Sequence, residues 1–289
     1  MDSTLRGALT PDPSDTPSSA EDILKRINTK IPHPARVYDY LLGGKDNFAA
    51  DREAAEQLIK ISPGVREGVR AHRAFLGRGV RYLAAEAGMT QFLDIGTGIP
   101  TQGNTHEIAQ EVNPEARVAY VDNDPIVLVH GRALLAGSPT GKTTVIEADL
   151  RRPEEILTNL DVRDTIDFTR PVAVILAGIL QFLTDDEDPY GVVEQIKAAV
   201  PSGSHLLLSH VTLDFAPGVS KEEAGKPYEK GAAPMINRTY DEVVRFFDGW
   251  QLIEPGLVEV VQWRPERPGA EYIPGGGHAW AYGGIAVKP

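Results

Sequence analysis

Residues that could bind a nucleotide follow an apolar segment near the middle of the chain. The run Asp94-Ile95-Gly96-Thr97-Gly98 lies between Phe92-Leu93, which is typical of a buried strand, and Asn104-Thr105-His106-Glu107, which is typical of a helix start. Glycines between a strand and a helix let the backbone approach a ligand, and the helix N-terminus presents unpaired N–H groups. Plain turns have the same pattern, so this segment alone leaves both interpretations open.

Polar side chains also follow the next three apolar segments. Ligands of doubly wound sheets bind beyond the carboxyl ends of the strands, so these positions predict a binding site. Asp122, at the end of the second strand, could accept hydrogen bonds from both hydroxyls of a ribose. Asp149, after the third strand, could accept from the exocyclic amine of adenine. Gln181, after the fourth strand, could orient a cofactor or a substrate, although satisfying nearby backbone groups is nearly as good an interpretation.

The glycine turn helps to distinguish between nucleotide cofactors. A dinucleotide fingerprint requires a third glycine three residues after Gly98, where this chain has Thr101. The longer turn suits a ligand that presents an amino acid rather than a pyrophosphate. Acidic residues such as Asp94 favour the ammonium and sulfonium groups of S-adenosylmethionine. The predicted cofactor-binding residues are Asp94, Gly96, Thr97, Gly98, Thr101, Asp122, Asn123, Asp149, Leu150, Ala177 and Gln181.

Alternating strand and helix patterns must position these residues. The predicted strands are 92–95, 118–121, 144–146, 172–176 and 205–209, with helical patterns between them. Repeated units of this length indicate a parallel sheet covered by helices on both faces. Two late apolar runs, Leu257 to Trp263 and Trp280 to Val287, predict a C-terminal antiparallel hairpin. The predicted fold is α/β, with a doubly wound, mostly parallel seven-stranded sheet.

The N-terminal part has a different character. We predict a disordered tail at 1–18, a helical lid at 19–88, and a cofactor-binding domain at 89–289 with a polar insertion at 214–234. His72 lies on an apolar helical face, where packing or hydrogen bonding is expected rather than ligand binding. Candidates for contact between the lid and a substrate are Tyr38, Tyr40, Lys45 and Asn47, for which a purely structural role is equally open.

Composition limits the partners and the chemistry. The chain has 29 basic and 41 acidic residues and a net charge of −12, which argues against nucleic acid or an anionic membrane as the main partner. The absence of cysteine excludes disulfides, thiol nucleophiles and cysteine-ligated metals, and no metal site is predicted. No apolar run is long enough to span a bilayer, so a cytoplasmic location is expected, with homo-oligomerisation left open.

The motifs resemble those of a known enzyme class. Asp94 to Gly98, Val121 to Pro125 and Ala148 to Leu150 are similar to motifs I, II and III of class I S-adenosylmethionine-dependent methyltransferases. The run from Pro32 to Asn47, together with Gly98-Ile99-Pro100-Thr101, resembles one bacterial family of these enzymes, formerly catalogued as a domain of unknown function. The resemblance extends from about residue 31 to 287 and implies a Rossmann-like methyltransferase fold with S-adenosylmethionine as its cofactor.

The resemblance implies little about the substrate. Sequences of this kind usually have His where this chain has Gln181, and an amide cannot titrate. A methyltransferase acting on a small-molecule acceptor is therefore expected, with no catalytic residue assigned. A protein that binds the cofactor without turnover is one alternative. A nicotinamide-dependent reductase is another, against which the missing third glycine argues.

Overall fold

A computed structural model describes residues 26–101, 103–134, 140–216, 218–229, 231–267 and 278–289. The predicted tail at 1–18 lies outside the described residues. The family resemblance, the predicted sheet and the predicted site fall almost entirely within them.

A mixed sheet forms the centre of the molecule. Its strands are β1 Gln91–Ile95, β2 Arg117–Asp122, β3 Lys142–Glu147, β4 Ala173–Ala177, β5 His205–Val211, β6 Gln251–Leu252, β7 Val258–Glu259 and β8 Ala281–Val287. Five parallel strands run in the order β3-β2-β1-β4-β5, and β8 pairs antiparallel with β5. Both β6 and β7 pair antiparallel with β8. Within the described residues, the sheet thus has eight strands in seven positions, because two short strands, β6 and β7, share the last one.

Helices connect and cover these strands. They include α1 Pro34–Leu42, α2 Ala49–Ile61, α3 Val65–Ala85, α4 Thr105–Val112, α5 Pro125–Leu134, α6 Pro153–Thr158, α7 Leu160–Thr165, α8 Pro189–Ala199, α9 Lys221–Gly225 and α10 Tyr240–Val244. The helix start predicted at Asn104 is confirmed, since the Asn104 N–H donates to the Glu107 carboxylate at 2.9 Å in a capping box. Gly43, with a φ of 90°, ends α1 in the left-handed conformation that glycine adopts without strain.

The sheet is apolar on both faces. Leu93 and Val174 belong to one buried cluster, whereas Phe92 and Ile175 belong to the other, as expected for strands that alternate between two covered faces. Helix α3 packs into the second cluster, where Phe75, Val80 and Leu83 are fully buried. The boundary predicted at residue 88 therefore does not separate two packing units, because α3 is one of the layers that cover the sheet.

The C-terminal hairpin is shorter than predicted. Of the predicted strand Leu257 to Trp263, only Val258–Glu259 pairs with β8. Trp263 is instead fully buried, with its ring edge-on to Phe75 at 5.7 Å and to Tyr82 at 5.8 Å between centroids. Val260 and Trp263 belong to the same buried cluster as Phe75 of α3, and this burial explains why the run resembles a longer strand.

A second layer lies over the carboxyl ends of the parallel strands. We refer to α1, α2, α9 and the turn Lys226–Tyr228 as the cap. Its buried cluster consists of Val37, Leu41, Ala54, Ala55, Leu58 and Tyr228. The Ala232 N–H donates to the Pro32 carbonyl at 2.9 Å, which joins the predicted insertion to the N-terminal segment. The cap is therefore built from two segments that are far apart in sequence.

Candidate functional site

The cap and the strand ends enclose a cavity of about 270 Å³. Strand-end residues predicted from the sequence line it together: Asp94, Gly96, Thr97, Gly98, Asp122, Asn123, Ala177 and Gln181. Tyr38 lines it from the cap, with Leu41, Leu58 and Tyr228. The structure thus brings most of the predicted cofactor residues to one place, opposite an apolar wall.

Two glycines shape the turn after β1. Gly96 has a φ of 78° and Gly98 a φ of 68°, both in the left-handed region that favours glycine. A Cβ at Gly96 would lie 2.5 Å from Cγ1 of Ile179, whereas a Cβ at Gly98 would have no atom within 4 Å. Gly96 is therefore required by both conformation and packing, and Gly98 by conformation.

Asp122 fixes this turn from the neighbouring strand. The Gly98 N–H donates to its Oδ2 at 2.8 Å, and the Asp124 N–H donates to its Oδ1 at 2.9 Å. The side chain is buried, and burial raises the pKa of Asp122 although both backbone donors lower it. Each carboxylate oxygen retains further acceptor capacity, so the group can bind the turn and a ligand at once.

Asp94 lies beneath the turn. The Thr105 hydroxyl donates to its Oδ2 at 2.6 Å, and the Thr97 hydroxyl donates to its backbone carbonyl at 3.2 Å. Burial raises the pKa of Asp94 to about 6. The positive charge of Arg73, which also lines the cavity, favours the ionised form of Asp94 and opposes this rise in its pKa.

His72 lies in the cavity wall between two hydroxyl groups. Its Nδ1 is 2.9 Å from the Tyr38 hydroxyl and its Nε2 is 2.6 Å from the Ser209 hydroxyl. Burial lowers the pKa of His72 to about 4, so the imidazole is neutral at pH 7. The sequence predicted a packed, hydrogen-bonded histidine. Its place in the cavity wall was missed, because helical periodicity does not show which strand end a helix will face.

In the part of the chain that the structure describes, three predicted cofactor residues do not line the cavity. The Thr101 N–H donates to Asn104 Oδ1 at 3.0 Å, within the loop before α4. Asp149 lies 3.3 Å from Nη1 of Arg151, and Arg151 does line the cavity. Leu150 is part of the core beneath the sheet. Contact between Asp149 and adenine stays a prediction.

Three lid candidates likewise lie away from the cavity in the described structure. The Tyr40 hydroxyl donates to Glu56 at 2.6 Å, and Lys45 is exposed. Asn47 is buried, and its Nδ2 donates to Asp39 Oδ2 at 2.8 Å, which closes the turn after α1. The contacts of Tyr40 and Asn47 are with other side chains of the protein, and Tyr38 is the lid candidate that lines the cavity.

The described residues contain no cluster of three or more histidine, aspartate or glutamate side chains that could hold a metal ion. Within the same part of the chain, no helix is both long and apolar enough to cross a membrane.

Comparison with known proteins identifies the family. The family model described as S-adenosyl methyltransferase matches residues 20–289. The chain belongs to this S-adenosyl methyltransferase family. Among solved structures, it is similar to a DUF574 family protein from Streptomyces avermitilis, with 44% identity, a TM-score of 0.83, and coverage of 91% of this chain and 100% of that one.

A second solved structure agrees with this assignment. A putative methyltransferase from Thermobifida fusca is 43% identical, with a TM-score of 0.81 and coverage of 90% of this chain and 96% of that one. A comparison with curated proteins finds no match. The family assignment establishes S-adenosylmethionine as the cofactor.

The chemistry of the cavity fits this cofactor. The cofactor carries a positive sulfonium, an amino acid group and a ribose diol. The buried carboxylates of Asp94 and Asp122 suit the positive charge and the hydroxyls, and the glycine turn leaves open space beside Gly98. The site residues and the cofactor are therefore chemically compatible.

Proposed function

We propose that the protein transfers a methyl group from S-adenosylmethionine to a small, largely apolar acceptor bound beneath the cap. The observation that carries this proposal is the composition of the cavity. Its strand-end side holds the glycine turn, Asp94 and Asp122, whereas its cap side is lined by apolar residues such as Leu41, Leu58 and Tyr228. One side suits a cationic nucleoside and the other an apolar molecule.

On the strand-end side, Asp122 and the glycine turn would hold the nucleoside, and Asp94 would compensate positive charge. When bound, S-adenosylmethionine supplies an electrophilic methyl group on a positively charged sulfur. The backbone donors on Asp122 fix its carboxylate before any ligand arrives, so little ordering remains for binding.

On the cap side, α1, α2 and Tyr228 would hold the acceptor and keep water out. Methyl transfer is an in-line displacement that depends mainly on alignment, so a general base is not required by the chemistry itself. The neutral state of His72 supports this arrangement, because a protonated imidazole in the same wall would repel a cationic ligand.

Calorimetric titration tests the cofactor half of the proposal. We expect S-adenosylmethionine and S-adenosylhomocysteine to bind, with NAD as the control ligand that does not. Binding of NAD alone would favour a nicotinamide-dependent reductase and would contradict the proposal.

Turnover tests the acceptor half. Release of S-adenosylhomocysteine should be measured over a library of small apolar acceptors, with an acceptor-free reaction as the control. Cofactor binding with no turnover on any acceptor would favour a binding protein that retains the cavity without catalysis.

A further inference from the structure

Two amide side chains in the cavity wall have buried polar atoms without a partner. Gln181 is 7% exposed and Asn237 is 6% exposed, and both line the cavity. Within the described part of the chain, neither Oε1 of Gln181 nor Nδ2 of Asn237 has a hydrogen-bond partner. Buried polar groups are nearly always paired, because leaving one unpaired is unfavourable. A ligand in the cavity could supply both missing partners.

The two amides lie on adjoining segments. The Ile236 N–H donates to the Gln181 carbonyl at 2.7 Å, which places Asn237 directly after the point of contact. Arg238 is 2% exposed, and its guanidinium donates to the carbonyls of Leu180 and Leu183, each at 3.1 Å. These bonds join residues 236–238 to the turn that carries Gln181. The amide pair is therefore held by the backbone and by Arg238, without needing a ligand to assemble it.

The surroundings indicate which part of the cavity the amides face. A Cβ at Gly178 would lie 3.2 Å from Cε1 of His72 and 3.5 Å from Nε2 of Gln181. The amide of Gln181 and the ring of His72 therefore approach the same point at the end of β4. Next to them, the rings of Phe182 and Tyr228 lie 5.7 Å apart between centroids, which makes the adjoining wall aromatic.

The unpaired atoms select the chemistry of the ligand. Oε1 of Gln181 requires a donor, and Nδ2 of Asn237 requires an acceptor. A single neutral hydroxyl supplies both, because its O–H can donate to Gln181 while its oxygen accepts from Asn237. A carboxylate lacks the donor that Oε1 of Gln181 requires. An ammonium group lacks the acceptor.

We infer that Gln181 and Asn237 form the polar end of the acceptor site and bind the neutral hydroxyl of a phenol or alcohol with an apolar body. The inference rests on the proposed function, in which the acceptor occupies the cap side of the cavity. It gives Gln181 a role toward the acceptor that depends on hydrogen bonding and not on titration.

Binding of three probes tests the inference. The protein is first saturated with S-adenosylhomocysteine, and the affinities of 1-naphthol, naphthalene and 1-naphthoate are then measured by calorimetry. We expect 1-naphthol to bind about 10-fold tighter than naphthalene, which corresponds to about 1.4 kcal/mol, and 1-naphthoate to bind weakest. The ratio of 1-naphthol to naphthalene affinity should fall at least about threefold in Gln181→Leu and in Asn237→Leu.

A matched control and a conservative variant complete the design. Gln251→Leu makes the same substitution at an exposed position on β6 and should leave the ratio unchanged. Asn237→Ala removes the donor, adds no new acceptor and introduces no larger side chain, so it should lower the ratio even if Asn237→Leu does not fold. Unchanged binding of S-adenosylhomocysteine reports that each variant retains the cofactor site.

Three results would overturn the inference. The first is equal affinity of the parent for 1-naphthol and naphthalene, and the second is an unchanged ratio in Asn237→Ala. The third is tightest binding of 1-naphthoate. Failure of the parent to bind S-adenosylhomocysteine is a separate result, which would overturn the proposed function instead.

Discussion

Replacing Asp122 by asparagine should weaken both the cofactor site and the fold. The change removes the charge of a buried carboxylate that accepts from the Gly98 N–H at 2.8 Å and from the Asp124 N–H at 2.9 Å. Asparagine has one acceptor oxygen, so its amide N–H₂ must face one of these two backbone donors. One buried N–H then loses its acceptor.

The expected sizes follow from these contacts. An unpaired buried donor costs about 1–3 kcal/mol, so we expect the free energy of unfolding to fall by roughly 2 kcal/mol. Burial raises the pKa of Asp122, and the neutral amide avoids the desolvation behind this shift, so we expect a loss near the middle of the range. Loss of charge-assisted bonds to ribose hydroxyls should weaken S-adenosylhomocysteine binding by about 2 kcal/mol, or roughly 30-fold.

Two measurements separate these effects. Urea unfolding without ligand gives the change in stability, and calorimetric titration with S-adenosylhomocysteine gives the change in affinity. Asp186→Asn removes one exposed negative charge and is the matched control. Unchanged affinity in a folded Asp122→Asn variant would refute the assignment of Asp122 to the ribose.

Three further predictions concern the turn, the wall and the cap. Gly96→Ala should destabilise the protein more than Gly98→Ala, because only the first substitution places a Cβ against Ile179. Equal losses in the free energy of unfolding, measured in urea, would contradict this. Burial lowers the pKa of His72 to about 4, so as the pH is lowered the unfolded chain binds a proton at His72 before the folded protein does. The free energy of unfolding should therefore fall as the pH decreases from about 6.5 to 4, by up to about 3 kcal/mol. Urea unfolding of His72→Gln should show a smaller fall, and an identical one would exclude His72 as its source. Hydrogen exchange with S-adenosylmethionine should protect Tyr38 to Asn47 as strongly as the glycine turn, and protection confined to that turn would argue against a closing lid.

Much of the sheet could be predicted because its strands are continuous apolar runs. β4 is covered on both faces, so its sequence has the uninterrupted hydrophobic character typical of a buried parallel strand. The run ending at Trp263 is also apolar, yet only its first part pairs with β8, since burial against α3 leaves the same pattern in sequence as burial in a sheet. Local pattern records that a residue is buried, but not which neighbour buries it.

The site was predictable where its residues follow strands and not where they come from distant segments. Asp94 and Asp122 are recognisable because every parallel strand ends at the same edge. Asn237 gives no such signal, since it reaches the cavity through the contact of residues 236–238 with the turn after β4. Lys45 and Asn47 show the converse: the crowded polar segment left ligand contact and a structural role equally open, and in the structure Asn47 closes a turn.

The last position of the sheet, which β6 and β7 share, bears on edge-to-edge aggregation at high protein concentration. A full-length strand there would present a continuous row of N–H and C=O groups, to which another chain could add by edge pairing. β6 and β7 have two residues each, against seven in β8, and Pro255 and Gly256, which has a φ of 89°, lie between them. Proline has no N–H to offer, and neither short strand is long enough to template an ordered addition. At this edge, the break between β6 and β7 limits the addition of another chain.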